Sequence, residues 1–543
     1  MAVNGAITLV LDGRLDDRAT LADRIGTSRQ HSDEQLILLA WRKWGECVPE
    51  YLLGDFALIV ADSEKQTVFC ARDHMGVRPL FYGVSGNRFA VGSTIQQVLD
   101  APFIDAALDM DVVASKITKS MMPLPDRTYF RHVRKLLPGH SLRASAKGVV
   151  IQRYWKPQNA ASIHFAKDED YADALRGLIE KAVADRTPRD GPLGVHVSGG
   201  LDCGAVAAVA TNIRRKTAAP DPIGFSWSPP QTTPQSDFEQ RLVDAVADHL
   251  RIDVQQPGFA PDLLMNLLRT DGLFAPTAAN LFHELPVQHA AQKQSIEVIL
   301  SGWGGDEAAS YNGRLARADL LFSMHWREFV KDARADNLGA VRAAAIIIRN
   351  RFRNIASKQA RRFESLPAGY LNPSLQKRSR KYEPAVLRAS RNRALMEKLL
   401  TSGHLTMRIE DWAQSGLDHG VEYRYPLLDR RVLDFALGVP TRLFRKGGVN
   451  RWLMRSAVAP LLPREIAWNQ SKLELGRVEY LVNAANHMLP DFVPALGALR
   501  HDSARDEWFD MGAIRNRLRE GLPLHKPKAS SLFGALQLLD WQA

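Results

Sequence analysis

The sequence predicts an α/β protein in two parts: a strand-rich α+β domain over residues 1–160, then a parallel α/β domain over residues 168–543. Three observations carry this. Strand-like apolar runs punctuated by turns fill the N-terminal part. From Tyr171 onward, helical stretches alternate with short apolar strands, the pattern of a parallel sheet covered by helices. Two of those strands, ending at Val197 and Leu300, run directly into glycine-rich loops.

In the N-terminal part, Ile7 to Leu11 reads as a strand closed by Asp12-Gly13. Ser32-Asp33-Glu34-Gln35 reads as the capped start of a helix through Trp44. Phe56 to Ala61 and Thr67 to Ala71 read as a hairpin. Pro138-Gly139 marks a turn, and a further strand is expected to end at Tyr154-Trp155. A polar linker then leads to Asp168.

The most telling stretch is Val195-His196-Val197-Ser198-Gly199-Gly200-Leu201-Asp202-Cys203. It reads as a buried strand, a tight turn and the first turn of a helix. Paired glycines let a ligand approach the backbone, and a helix start offers unpaired N–H groups to an anion. An acid inside such a loop, Asp202, makes most sense as a ligand of Mg²⁺ riding on phosphates. The second element, Val298-Ile299-Leu300-Ser301-Gly302-Trp303-Gly304-Gly305-Asp306-Glu307, again ends a strand in glycines and acids. Loops at the carboxyl ends of parallel strands face one crevice, so Asp202 and Asp306 are expected to share one metal–phosphate group. The loop lacks the Gly-Lys-Thr of kinases, which points to AMP-forming chemistry.

At 543 residues and 45% hydrophobic, the chain has ample material for two domains. Cys47, Cys70 and Cys203 have no metal spacing and cannot all pair, which fits a reducing cytoplasm. Cys203 has no neighbouring His and reads as a small loop residue. No targeting leader is visible, and no apolar run approaches the ~20 residues of a membrane span. The formal charge of +11 is concentrated in residues 314–398, a basic helical insert with 20 Lys/Arg against 7 Asp/Glu. Arg349, Arg351, Arg353, Arg361, Arg362, Lys377, Arg378, Arg380 and Lys381 stand among apolar residues there. A solvated helical face and an acidic peptide partner both fit this pattern. Nucleic acid fits less well, because no recognisable motif for it accompanies the charge.

The motifs together resemble the asparagine synthetase family of ATP-dependent amide ligases, over nearly the whole chain. Asp12-Gly13-Arg14, Ser32-Asp33, Gly54-Asp55-Phe56-Ala57, Arg72-Asp73 and Leu80-Phe81-Tyr82 resemble its glutaminase domain. Ser198 to Asp202, Ser301 to Glu307 and Glu422-Tyr423-Arg424-Tyr425-Pro426-Leu427-Leu428-Asp429 resemble its synthetase domain. The resemblance implies an Ntn-hydrolase-like N-terminal domain with a β-sandwich core, here truncated. It also implies an adenine-nucleotide α-hydrolase-like synthetase domain that uses ATP and Mg²⁺.

Two departures bear on function. The family's glutaminase places a cysteine immediately after the initiator Met, where this chain has Ala2. The expectation is therefore a degenerate domain that releases no ammonia from glutamine, unless the true start lies upstream. Trp303 stands where asparagine synthetases carry a Glu, which suits a larger, partly apolar substrate; packing alone is the other reading. Within the family the nearest resemblance is to the lasso-peptide macrolactam synthetases. That implies a precursor peptide substrate whose N-terminal amine joins an Asp or Glu side chain. A leader-peptide protease and a peptide-recognition element would be its partners. An asparagine synthetase and a non-catalytic relic are the competing expectations.

The implied site follows residue by residue. Ser198, Gly199 and Gly200 would cradle phosphates, with Asp202 and Asp306 on Mg²⁺. Val197, Cys203, Ser226, Ser301 and Gly302 would contact the nucleotide. Lys472, after Leu462-Pro463-Arg464-Glu465-Ile466, would be the transition-state cation, worth about 3–4 kcal/mol in a closed site; a surface lysine is the alternative. Glu410 would take the amine proton or anchor the substrate N-terminus, unless it only pairs with Arg408 or Arg424. Glu422 and Arg424 are expected to brace the site, and Asp429 to cap the helix that follows.

Overall fold

The computed structural model describes residues 1–118, 125–227, 234–258, 260, 262, 263, 267, 281, 283–352, 369–381, 389, 391–470 and 507–519. Its N-terminal strands are β1 (Ala2–Asn4), β2 (Ile7–Leu15), β3 (Gly54–Asp62), β4 (Thr67–Arg72), β5 (Phe81–Ser85), β6 (Arg88–Gly92), β7 (Val133–Lys135), β8 (His140–Ser145) and β9 (Gly148–Arg153). Six of them form an antiparallel sheet in the order β1-β2-β3-β4-β8-β9, and three form a second sheet, β6-β5-β7. Between the sheets lie Ala57, Cys70, Leu142 and Ala144 from the larger one, against Leu80, Tyr82 and Val91. That is the expected sandwich core. The larger sheet's other face packs Leu9, Phe56, Leu58 and Val60 against Leu21, Leu36 and Ile37 from two covering helices.

Local chemistry explains these elements. Ser32 caps the Asp33–Trp44 helix through a reciprocal capping box with Gln35, which satisfies two otherwise orphaned N–H groups. The β3–β4 hairpin closes where the Asp62 carboxylate accepts from the Glu64 and Lys65 N–H groups. The expected strand end at Tyr154-Trp155 falls earlier, at Arg153. There both following N–H groups donate to the single carbonyl of Gly139 and turn the chain.

The second part opens with the Asp168–Arg186 helix and then builds a parallel sheet. Its strands are β10 (Gly194–His196), β11 (Ile223–Phe225), β12 (Val254–Gln255), β13 (Val298–Leu300) and β14 (Glu422–Arg424), in the order β12-β11-β10-β13-β14. Every neighbouring pair is parallel. The chain enters at the central strand β10, grows outward through β12, and returns to the other side of β10 as β13. That reversal opens a crevice between the β10 and β13 loops.

The basic insert is helical where it is described, at Ala316–Phe322, Trp326–Ala335, Ala340–Phe352 and Pro373–Lys381. Arg353, Arg361 and Arg362 lie outside the described residues. Part of its charge is neutralised: within the insert Arg317 pairs with Asp332 and Asp336, and Arg378 pairs with Asp111 of the N-terminal part. None of the described helices is long and apolar enough to cross a membrane.

Buried ions join the two parts. Arg186, 2% exposed, reaches Asp16 at 2.9 Å, Asp55 at 3.2 Å and Asp429 at 2.6 Å. Asp429 also caps the Arg430–Gly438 helix by accepting from the Arg431 N–H. Burial alone would raise its pKa, but Arg186 and Arg431 hold it at about 2.

Candidate functional site

The β10 loop begins with Val197, whose N–H still donates to Phe225 at the end of β11. Ser198 Oγ then accepts from the Gly200 N–H at 3.3 Å, and Gly200 is the N-cap of the Leu201–Lys216 helix. A Cβ on Gly199 would stand 2.2 Å from the Cβ of Leu242 on the Pro234–Leu250 helix, so only glycine fits beside that helix. Asp202 falls in the first turn, where helix N–H groups and their dipole favour an anion alongside.

The β13 loop lies directly on this one. A Cβ on Gly302 would meet the Cys203 nitrogen at 2.4 Å, and one on Gly305 would meet the Asp202 carboxyl carbon at 2.7 Å. Glycines therefore let the two loops close on each other. Ser226, buried at the end of β11, donates its N–H to Gln255. Val197, Ser198, Gly199, Gly200, Asp202, Cys203, Ser226, Ser301, Gly302 and Asp306 thus gather at the carboxyl ends of three adjacent strands.

One residue here went unmarked in the sequence. Arg451 Nη1 contacts Asp306 Oδ1 and lies 3.7 Å from Asp202 Oδ2. Burial opposes its charge, but the two aspartates outweigh burial and raise its pKa. No motif surrounds Arg451. It precedes the Trp452–Val458 helix in a left-handed turn, with φ of 59°, and only the fold brings it to the aspartates. Two carboxylates that already share one cation are a hard-oxygen donor pair suited to Mg²⁺. Among the described residues no cluster of three or more His, Cys, Asp or Glu could hold a metal alone. The pair therefore fits an ion that draws its remaining ligands from phosphate and water.

Beneath the loops runs a buried polar chain. Ser301 Oγ meets His196 Nδ1 at 3.0 Å, His196 Nε2 meets Glu284 at 3.1 Å, and Tyr423 donates to the same Glu284 oxygen. Ser301 Oγ also accepts from the Trp303 N–H. This network fixes where the β13 loop leaves the sheet. The Trp303 ring packs near Trp412, and the Arg408 guanidinium lies over it at 4.0 Å.

Glu410 sits differently from expectation. Its carboxylate meets Arg72 at 2.9 Å and Lys135 at 2.5 Å, both from the N-terminal domain, rather than Arg408 or Arg424. Burial alone would raise its pKa, but Lys135 and Arg72 hold it below the usual carboxylate range. A carboxylate so firmly ionised is a poor proton acceptor. Glu422 pairs with Arg78 and Arg424, a bracing arrangement across the domains. Lys472 lies outside the described residues.

The family model described as asparagine synthase matches residues 174–543. The chain belongs to the asparagine synthase family. A glutamine amidotransferase domain model matches residues 1–155, so both halves of the family's architecture are accounted for. Asparagine synthetase 3 of Bacillus subtilis is 31% identical over 207 residues, covering 37% of this chain and 33% of that protein. Asparagine synthetase 1 of the same organism is 23% identical over 472 residues, covering 82% and 71%. Amidase chyE of Penicillium rubens is 24% identical over 336 residues, covering 59% and 49%. The chain spans about a third to a half of the length of the first curated relatives it matches.

Proposed function

We propose that this asparagine synthase family member is an ATP-dependent amide ligase that adenylates a carboxylate, releases pyrophosphate, and joins the activated carboxyl to an amine with release of AMP. The observation that carries this reading is the closure of the β10 and β13 loops on each other, with Asp202 and Asp306 converging on Arg451. A carboxylate resists attack by an amine at neutral pH because its oxygen is too poor a leaving group. Adenylation turns that oxygen into the bridging atom of a mixed anhydride with AMP, from which it leaves on a stabilised phosphate. Ser198 to Gly200 would bind the phosphates, Mg²⁺ on Asp202 and Asp306 would offset their charge, and Arg451 would add a fixed cation beside them. Lys472, placed by the family resemblance after Leu462-Pro463-Arg464-Glu465-Ile466, would be the cation that stabilises the transition state.

The substrate we favour is a peptide that closes its own macrolactam ring between its N-terminal amine and an Asp or Glu side chain. Trp303 supports this choice. The position that holds an acid in asparagine synthetases here carries an indole flanked by Trp412 and the Arg408 guanidinium. That surface suits apolar peptide atoms and offers no carboxylate for ammonia. A second reading, amidation of free aspartate, is favoured by the names of the curated relatives. The test is incubation with ATP, Mg²⁺ and synthetic linear peptides carrying a free N-terminus and a single Asp or Glu, compared with aspartate plus ammonia.

A further inference from the structure

We propose that His404, oriented by Glu307, is the general base that takes the proton from the attacking amine; this rests on the ligase reading above. Glu307 ends the β13 loop, and its Oε1 lies 2.9 Å from His404 Nε2. The other ring nitrogen, Nδ1, lies 2.7 Å from Ser402 Oγ, which in turn lies 3.0 Å from the Leu399 carbonyl. A base must be well solvated by its surroundings both before and after it gains a proton. This cluster meets that requirement.

With neutral imidazole, Nε2–H donates to Glu307 and the Ser402 hydroxyl donates to Nδ1. With imidazolium, Nε2–H keeps Glu307, Nδ1–H donates to Ser402 Oγ, and the hydroxyl turns to the Leu399 carbonyl. Taking a proton costs one hydroxyl rotation and strands no donor. The Glu307 carboxylate also stabilises the imidazolium, as the acid partner does in other histidine bases.

Position supports the role. His404 opens the His404–His419 helix, and Arg408, one turn later on the same face, is the residue lying over Trp303. The helix therefore sets His404 on Glu307 and Arg408 on Trp303, with the Trp303–Glu307 loop running beneath. The His404 side chain is 16% exposed, so a substrate can reach it. His196, by contrast, is only 2% exposed and closed off from substrate, and Glu410 is held between two cations. In the step itself the amine nitrogen bonds to the acyl carbon and one N–H proton passes to Ser402 Oγ, whose own hydroxyl proton moves 2.7 Å across to Nδ1. The bond from that carbon to the AMP oxygen breaks, its electron pair leaving with AMP.

The test uses the full chain, ATP, Mg²⁺ and the synthetic peptides, with two readouts. Exchange of pyrophosphate into ATP reports carboxylate activation, and a peptide lighter by one water reports ring closure. His404→Gln should keep exchange within about threefold while ring closure falls about 10²–10⁴-fold, the usual worth of a general base. The lost rate should return as pH rises from 7 to 9, because an N-terminal amine titrates near 7.7–8.0 and then arrives already deprotonated. Added hydroxylamine, which needs no base, should trap the activated carboxyl equally well in both proteins. Ring closure within threefold of wild type, or equal loss of exchange and ring closure, would overturn the assignment. Absence of exchange in the wild type would overturn the ligase reading itself, and this role with it.

Discussion

Arg72 and Glu410, from different domains, form a buried ion pair at 2.9 Å. Arg72 also donates to the carbonyls of Arg78, Leu136 and Gly76, so its guanidinium is fixed by the N-terminal domain while a further N–H meets Glu410. The pair makes that domain a fixed wall beside the synthetase helix that carries His404 and Arg408.

Removing one partner leaves the other charge buried and uncompensated, which costs about 3–5 kcal/mol. Glu410→Gln should therefore lower stability by that order in denaturant titration, and ring closure measured on the folded fraction should stay within a few-fold of wild type. A loss of 10²-fold or more in the folded protein would return Glu410 to the role of base.

His74 gives a signed pH dependence. Burial, with help from Arg430, lowers its pKa to about 3. Its Nε2 faces the Arg430 guanidinium at 3.4 Å, and its ring packs edge-on against Tyr154 and Trp155. An unfolded His titrates near 6.5, so from 6.5 down to about 3 the unfolded chain binds a proton that the folded chain refuses. This contribution to stability is lost as pH falls through that window, at up to about 1.4 kcal/mol per pH unit. Neighbouring Asp73, raised by burial to about 6, opposes it at a smaller size. Chemical denaturation at pH 7 and pH 5 should show wild type losing about 2 kcal/mol more than His74→Gln; parallel losses would contradict the shift.

Two glycines should respond in opposite ways. Gly302→Ala would drive a methyl into the Asp202–Cys203 backbone, so pyrophosphate exchange should fall at least 10²-fold. Gly177, exposed in the Asp168–Arg186 helix, has nothing within 4 Å of a built Cβ. Gly177→Ala should stabilise by about 0.5–1 kcal/mol, with exchange unchanged. Normal exchange in Gly302→Ala would show that the two loops need not touch.

Asp202→Ala should abolish exchange, and Lys472→Ala should abolish product formation, each with an unaltered circular dichroism spectrum. Near-normal turnover in either variant would remove that residue from the site.

Much of this was legible in the sequence because short-range signals carried it. The Ser32–Gln35 cap, the β3–β4 hairpin and the strand–glycine–helix junction at Ser198 each depend on neighbours within a few residues. The pairings of Glu410 with Arg72 and Lys135, and of Arg451 with Asp202 and Asp306, join residues well over a hundred positions apart. No local pattern encodes them. Trp303 is an intermediate case: its departure from the family pattern was visible, but its place beneath Arg408 needed the helix packed above it.

The most direct test of the central claim is mass spectrometry and nucleotide analysis after incubating the full chain with ATP, Mg²⁺ and the linear peptides. The account predicts AMP, pyrophosphate and a cyclic product lighter by one water. Asparagine formed from free aspartate, with every peptide unchanged, would contradict it.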